Sequence, residues 1–417
     1  MNLEETKVEE QVQKQRRELP YMHKVGFAYD NYMLLHENHK YSHPERPSRI
    51  MAIYQNLEKA KLLPELERIN FEPVNKRHLL RVHDEHLIDR VDDSIYNAKA
   101  LFEGKQILKV RGETKYMDES YDVYANLYTK ECAYLAAGAS VASCDAVFSE
   151  VPKVDSVFAA IRPPGHHASC EKMAGFCLFN NAAVAARSIQ VDHNIKKVCI
   201  FDWDIHVGDG TSQIFYEDDS ILYISLHRYD DGMFYPGKAG SYELIGKDAG
   251  KGYNIHYAFN AYSAKEVSDK EYAYACQNLL FPIIQEFEPE AILISCGFDS
   301  AKGDPLGQIG VTPYGYAWMT YGLMQICPKI VVLLEGGYNL DALANSSEAV
   351  IRTLKIDPKS NDDEVFNEYS KSKLNQPLTH KEFGQSSMEK PIREFTNVYN
   401  KLLPLLKPYW KCLQGRE

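Results

Sequence analysis

The chain has 417 residues, 45% of them hydrophobic, and a formal net charge of -11 at pH 7. That is ample for one α/β core, and the negative balance argues against non-specific nucleic-acid binding while suiting basic partners such as lysine-rich peptides. No apolar run approaches membrane-spanning length, the N-terminus is too charged and polar for a signal or typical transit peptide, and the 9 cysteines, with no CxxC pair, fit a reducing intracellular compartment.

Residues 1–20 read as a mobile arm or solvated helix, and 21–417 as a single domain. Val25 to Asp30 is a first strand. His36 to Arg49 is a polar loop punctuated by proline, leading into a helix from about Ile50 to Ala60 with Ser48 as candidate N-cap. Its irregularly spaced histidines suit a loop anchoring a helix start better than a metal site. Arg77 to Asp93 reads as helix, Lys115 to Tyr124 as a surface loop, and Leu127 to Phe148 as a closely packed helix of small residues. Val154 to Ile161 is a strand ending in Arg162-Pro-Pro-Gly-His-His-Ala168. Met173 to Ala186 gives a Gly-Phe-Cys loop and a second small-residue helix.

Val198 to Phe201 is a buried strand, followed by Asp202-Trp-Asp-Ile-His-Val-Gly-Asp-Gly210. Ile221 to Leu226 is a strand ending in a loop that contains Met233-Phe-Tyr-Pro-Gly237, and Lys238 to Lys251 is a glycine-rich loop. Ala273 to Phe287 is helical with a possible kink at Pro282. Ala291 to Ser295 is a strand ending in Cys-Gly-Phe-Asp299-Ser-Ala-Lys-Gly-Asp304. Gly315 to Ile326 is helical, and the strand Ile330 to Leu334 ends in Glu335-Gly-Gly-Tyr-Asn339. A polar, acidic stretch over 357–389 separates the body from a final helix over 392–413. After the first strand, five apolar β runs alternate with helices, and each ends in a polar, glycine-containing motif. Alternating β and α implies a mostly parallel sheet covered on both faces. Ligands of such sheets sit beyond the carboxyl ends of the strands, so the five motifs converge on one edge.

Asp204 and His206 lie two apart, and in an extended segment both would point the same way. With Asp299 they make two carboxylates and one imidazole, a three-ligand set with an open position suited to a catalytic zinc, or to iron(II) or cobalt(II). Alone, the first pair reads equally well as an acidic surface loop; convergence with the other motifs is what favours a metal. His166 and His167 supply a general acid and base near neutral pH, with Asp202 and Asp209 placed to hold their other ring nitrogens. Tyr338 is a phenol on a flexible glycine-flanked hinge, able to hydrogen-bond a developing oxyanion, or else a core or rim tyrosine. Phe176, after Gly175, and Tyr235 either wall a narrow slot for an aliphatic stem or simply pack.

These residues resemble the histone deacetylase family, within it the class II branch outside class IIa. The resemblance runs from about His43 to Leu413. Its motifs are His43-Pro-Glu-Arg-Pro-Ser-Arg49, Arg162 to Ala168, Gly175-Phe-Cys, Asp202 to His206, Gly297-Phe-Asp-Ser-Ala301 with Gly303-Asp-Pro-Leu-Gly307, Leu334 to Asn339, and Tyr409-Trp410. It implies the arginase-like α/β deacetylase fold and removal of acetyl groups from acetyl-lysine side chains of proteins. It implies one zinc ion held by Asp204, His206 and Asp299, His167 as base and then acid, His166 assisting electrostatically, and Tyr338 polarising the acetyl carbonyl. Phe176 and Tyr235 would line the acyl-lysine tunnel, Arg49 would lie near an acetate-release channel, and Asp122 (or Asp118) would hold the substrate backbone at the rim. A structural potassium ion would touch Asp202, Asp204, His206, Ser225 and Leu226, and a second would lie near Phe215, Asp218, Ile221 and Tyr253.

Four positions bear on the match. Tyr235 stands where the family usually has Phe, Val207 where it has a second histidine, and Asp209 where class II usually has Asn. Leu306 occupies the gate at which acetylpolyamine-specific members place a glutamate to select a cationic amine. The implied partners are acetylated proteins such as histone tails and a possible corepressor complex, with no direct nucleic-acid or membrane binding, in the nucleus or cytoplasm. Competing readings are a deacetylase of small acetylated amines and a catalytically weak acetyl-lysine-binding scaffold, the latter supported only by Val207.

Overall fold

The computed structural model describes residues 23–100, 115–117, 122–262, 267–358, 363–388 and 391–416; the expected N-terminal arm lies outside them. The strands are β1 (Val25–Ala28), β2 (Glu67–Arg68), β3 (Lys115–Tyr116), β4 (Tyr124–Ala125), β5 (Ser156–Ala159), β6 (Val198–Asp202), β7 (Ile221–Arg228), β8 (Asn254–Phe259), β9 (Ala291–Cys296) and β10 (Ile330–Leu334). Eight of them form one sheet in the order β2-β1-β5-β10-β9-β6-β7-β8, and every pairing in it is parallel. All residues of β6, β9 and β10 are buried. Successive strand side chains point to opposite faces, so both faces of the sheet are covered.

The cover is helical. The main helices are α1 (Ser48–Lys59), α2 (Thr129–Phe148), α3 (Asn181–Asp192), α4 (Pro313–Ile326), α5 (Leu340–Leu354) and α6 (Arg393–Leu406). The small residues of α2 let it pack against β1, β5 and β10 and against α3, while α6 lies against β8 and the α4–α5 pair meets α1 through α5. Among the described residues no helix is long and apolar enough to cross a membrane, and all nine cysteines are free thiols.

Several elements depart from the sequence expectation, each for a local reason. Two strands carried no apolar run: β2 is a short exposed edge, and β8 buries the polar Asn254 and His256. Those two are satisfied by Ser212, whose hydroxyl bonds Asn254 Oδ1 at 2.9 Å and His256 Nε2 at 3.2 Å. The single helix expected over 77–93 breaks into Lys76–Leu79 and Glu85–Ala100, because His83 turns inward to join Ser169 O and Asn180 N–H, both at 2.9 Å. The surface loop expected over 115–124 includes the paired strands β3 and β4. The stretch 357–389 contains the helices Asp363–Lys373 and His380–Ser387, docked by an aromatic cluster: Phe366 stacks on Tyr321 at 4.4 Å, His380 on Trp318 at 4.8 Å, and Phe383 meets Tyr314 edge-on at 4.9 Å. Pro282 is the second residue of a helix, Phe281–Phe287, that follows a π turn. The last helix ends at Leu406, and Trp410 then donates its indole N–H to Gly252 O at 3.0 Å.

Four buried histidines, His36, His83, His227 and His256, give the fold a pH signature. Burial holds His36 and His227 down to about 3, and His83 and His256 down to about 4. An unfolded histidine titrates near 6.5, so between there and pH 4 the unfolded chain takes up protons that the native chain refuses. Stability is therefore full above 6.5 and falls below it, by up to about 1.4 kcal/mol per pH unit for each such histidine. Urea midpoints should fall steadily from pH 6.5 to 5; a flat profile over that range would contradict this reading.

Candidate active site and metal centre

β6 ends at Asp202, and the chain then bends through two side-chain-to-backbone turns. Asp202 Oδ1 accepts the N–H of Asp204 at 3.1 Å, and Asp204 Oδ1 accepts that of His206 at 2.9 Å. The segment is thus bent rather than extended, yet the two side chains still meet. β9 neighbours β6, and Asp299 beyond its end accepts the N–H of Ile205 at 2.8 Å. His206 Nδ1 then sits 3.0 Å from Asp204 Oδ1 and 3.2 Å from Asp299 Oδ2. Among the described residues, Asp204, His206 and Asp299 form a group whose potential ligand atoms lie within 4.8 Å of one another.

This group fits a divalent cation on three counts. Asp299 Oδ2 is buried without a hydrogen-bond partner of good geometry. Burial and the adjacent Asp204 carboxylate push Asp299 up to about 7, so its ionised form is disfavoured unless a further positive charge joins the group. The backbone also closes on the carboxylates: a Cβ on Gly336 would stand 2.4 Å from Asp299 Oδ2 and 2.6 Å from Asp204 Oδ2, so only glycine fits there. The two-carboxylate, one-imidazole set suits a catalytic zinc.

The tandem histidines follow β5 and lie beside this group. His166 Nδ1 is 3.0 Å from Asp202 Oδ2, and His167 Nδ1 is 2.7 Å from Asp209 Oδ1. Asp202 also accepts the Tyr223 hydroxyl at 2.9 Å. The two rings are electrostatically unlike. Burial disfavours charge on His166, but Asp204 and Asp202 outweigh it and raise that ring well above its ordinary range. Burial and the adjacent His166 charge lower His167 to about 4. At neutral pH the first is a cation and the second a free base whose Nε2 is open to accept a proton. Gly175 is required beside it, since a Cβ there would fall 2.3 Å from the His167 ring.

Tyr338 sits beyond β10 on a turn that is pinned rather than hinged. Arg49, fully buried, donates to Glu335 O at 2.5 Å and Gly337 O at 2.6 Å, and its guanidinium lies 5.1 Å from the Tyr338 ring centroid. Gly336 N–H donates to Asp204 at 2.9 Å, and Asn339 caps α5 by accepting the Ala342 N–H at 3.0 Å. Arg49 is held in turn by Glu45 at 3.1 Å, which also takes both prongs of Arg162.

One pocket gathers Asp122, His166, His167, Gly175, Phe176, His206, Tyr235, Leu306 and Tyr338, nine of the residues expected from the sequence, together with Pro164, Phe234 and Gly336. Phe176 meets Tyr338 edge-on at 6.0 Å, and Tyr235 meets His167 edge-on at 5.0 Å. Asp118, the alternative to Asp122, lies outside the described residues. Ser225 lies across from Asp202 in the β6–β7 ladder with Leu226 next to it, and its hydroxyl joins His227 at 2.8 Å; these two stand behind the pocket, not in it. In the loop of the second expected potassium site, the Asp218 carboxylate is engaged by Arg187 at 2.6 Å and by Ser220. Val207 is fully buried in the apolar core, so a non-polar side chain suits that position.

Sequence reasoning passed over Phe234 and Glu335. Phe234 stacks on His206 at 5.0 Å, and the Arg228 guanidinium lies 4.7 Å from its ring. Adjacent aromatics in Met-Phe-Tyr-Pro signalled a wall without saying which ring would face the imidazole. Glu335 Oε2 accepts the N–H groups of Gly165 and His166 at 2.7 and 3.1 Å. A carboxylate directly after an apolar strand and before two glycines was the available signal.

A sequence model of the histone deacetylase domain matches residues 43–354. Histone deacetylase 15 of Arabidopsis thaliana is 42% identical over 335 residues, covering 79% of this chain and 56% of that protein. Histone deacetylase clr3 of Schizosaccharomyces pombe is 38% identical over 344 residues, covering 79% of this chain and 48% of that one. The crystal structure of the HDA15 HD domain superposes with a TM-score of 0.78 at 35% identity, covering 94% of this chain and 97% of that one. The chain spans about half the length of these two curated relatives.

Adding zinc to metal-stripped protein should stabilise the fold, by about 2.7 kcal/mol at a free concentration one hundred times Kd. Asp299→Asn should remove most of that gain. A melting temperature indifferent to zinc in the unsubstituted chain would contradict the assignment.

Proposed function

We propose, proceeding from the fact that this chain belongs to the histone deacetylase family, that it is a zinc-dependent hydrolase removing acetyl groups from acetyl-lysine side chains of proteins. The observation that carries this reading is the grouping of Asp204, His206 and Asp299 beside the tandem histidines, with His166, His167 and His206 lining one aromatic-walled pocket. Residues 21–417 are taken as one catalytic domain.

Asp204, His206 and Asp299 would hold the zinc, which when bound would supply Lewis-acid polarisation of the amide carbonyl and make a neighbouring water more acidic. Phe176 and Tyr235 would flank the aliphatic stem of the acetyl-lysine. His167, its Nδ1 fixed by Asp209, takes the proton of the attacking water on Nε2 and returns it to the departing lysine nitrogen. His166, kept positive by Asp202 and Asp204, steadies the negative charge that grows on the amide oxygen. The Tyr338 hydroxyl donates to that same oxygen. Asp202, Ser225 and Leu226 are the proposed contacts of a structural potassium ion, and Asp122 of the substrate backbone at the rim.

Leu306 in the pocket wall supports peptides over polyamines. It offers no charge to a cationic amine, whereas an acetyl-lysine stem needs only apolar contact there. The proposed substrates are acetylated proteins, histone tails among them, met in the nucleus or cytoplasm and within a corepressor complex.

Purified protein should release acetate from an acetyl-lysine peptide faster than from acetylspermidine, and Tyr338→Phe should lower kcat about a hundredfold to a thousandfold. Full activity of Tyr338→Phe would refute the role given to the phenol, and a strong preference for acetylspermidine would refute the peptide assignment.

A further inference from the structure

We propose that Asp304 is a positioning residue that sets, from one buried carboxylate, both the Tyr338 phenol and the Leu306 wall, and thereby couples turnover to substrate choice. Its consequences for catalysis rest on the deacetylase reading above; its geometry does not.

Asp304 lies beyond β9 and is only 3% exposed. Its Oδ2 accepts the N–H of Tyr338 at 2.7 Å and of Asn339 at 3.1 Å. Its Oδ1 accepts the N–H of Leu306 at 2.8 Å and of Gly307 at 3.2 Å. Four backbone donors from two loops therefore converge on one side chain. The loops follow the neighbouring strands β9 and β10; beyond the strand ends the Phe298 N–H donates to Gly336 O at 3.0 Å and the Asn339 side-chain amide to Gly303 O at 2.9 Å, and Asp304 adds a carboxylate that takes backbone N–H groups from both loops. An aspartate serving only its own turn would spend its acceptors on Leu306 and Gly307, the local pattern of such residues. Here the second oxygen is given wholly to the turn that carries Tyr338. That turn gains from a fixed acceptor for its N–H groups, because Gly336 and Gly337 directly precede Tyr338 in it.

A carboxylate is the side chain that can do this. Ionised, it offers acceptor positions on both oxygens and no donor. An amide of the same shape turns an NH2 group toward one pair of backbone N–H groups, so one loop must move away. Arg49 anchors the Tyr338 turn through Glu335 O and Gly337 O; Asp304 anchors its other end through N–H groups. Between them the phenol is fixed from both sides, and Leu306 is tied to the same carboxylate.

Asp304→Asn in the full chain tests this in two ways. Hydrogen–deuterium exchange of the backbone should speed up together in the segments around Leu306 and around Tyr338, whatever the protein's activity; faster exchange in one segment alone, or in neither, overturns the proposal. In turnover, kcat on an acetyl-lysine peptide should fall roughly tenfold to a hundredfold, while the preference for that peptide over acetylspermidine narrows. A merely structural role would lower both rates equally and leave the ratio unchanged. In a Tyr338→Phe background the further loss of kcat should be small, because Asp304 acts through the phenol; full multiplicative loss overturns the proposal. Should the asparagine variant fail to fold, Asp304→Glu keeps both acceptors at a longer reach, and the two segments should again change together. A wild-type chain silent on both substrates would count against the deacetylase reading, and the exchange result would still decide the role of Asp304.

Discussion

Asp202, Asp204, Asp299, Asp304 and Glu335 are all buried at one edge of a parallel sheet. Five carboxylates gathered out of solvent repel one another and lose hydration, a cost of several kcal/mol each unless they are paired. Much of the local architecture is a response to that. Asp304 is met by four backbone N–H groups. Asp202 is met by His166, Tyr223 and the Asp204 N–H. Glu335 takes the N–H groups of the histidine turn. Asp299 and Glu335 each keep one oxygen unmatched, and that of Asp299 faces the His206 imidazole beside Asp204. There an unmatched oxygen and a set of ligand atoms coincide, and a divalent cation fits.

The same charges divide the labour of the two adjacent histidines. His166 lies close to both Asp202 and Asp204 and is held as a cation; His167 has only Asp209 at the pocket side and stays neutral beside that cation. Two identical side chains in sequence thus become a fixed charge and a proton acceptor. Neither is free to exchange roles, because Gly175, Glu335 and Asp209 hold the turn and the rings. On the proposed reading this keeps the base unprotonated at neutral pH while a positive charge stands ready beside the reacting carbonyl.

The apolar strands and the motifs at their carboxyl ends were legible in the sequence because parallel strands buried on both faces need continuous apolar runs, and because ligand sites of such sheets lie at those ends. Residues singled out on that ground line one pocket, joined there by Asp122 and Leu306, which only the family resemblance pointed to. What was not legible depends on tertiary contact. β8 hides behind Asn254 and His256, which Ser212 and the backbone carbonyls of Phe215 and Ser241 make acceptable inside. The helices within 357–389 are polar and are held by a cluster of aromatic contacts from Phe366, His380 and Phe383 that no periodicity marks. Tyr338 read as a hinge because its neighbours are glycines, whereas those glycines are there for close approach, and Arg49 with Asp304 removes the freedom they allow.

The zinc ion proposed at Asp204, His206 and Asp299 would offset part of the negative charge of this buried edge. Anomalous diffraction at the zinc edge, from crystals grown with zinc, measures it directly. The account predicts one strong peak about 2.0–2.2 Å from a carboxylate oxygen of Asp204, from His206 Nδ1 and from a carboxylate oxygen of Asp299. A well-diffracting crystal with no peak at those three residues, or with its zinc bound to other side chains, would contradict it.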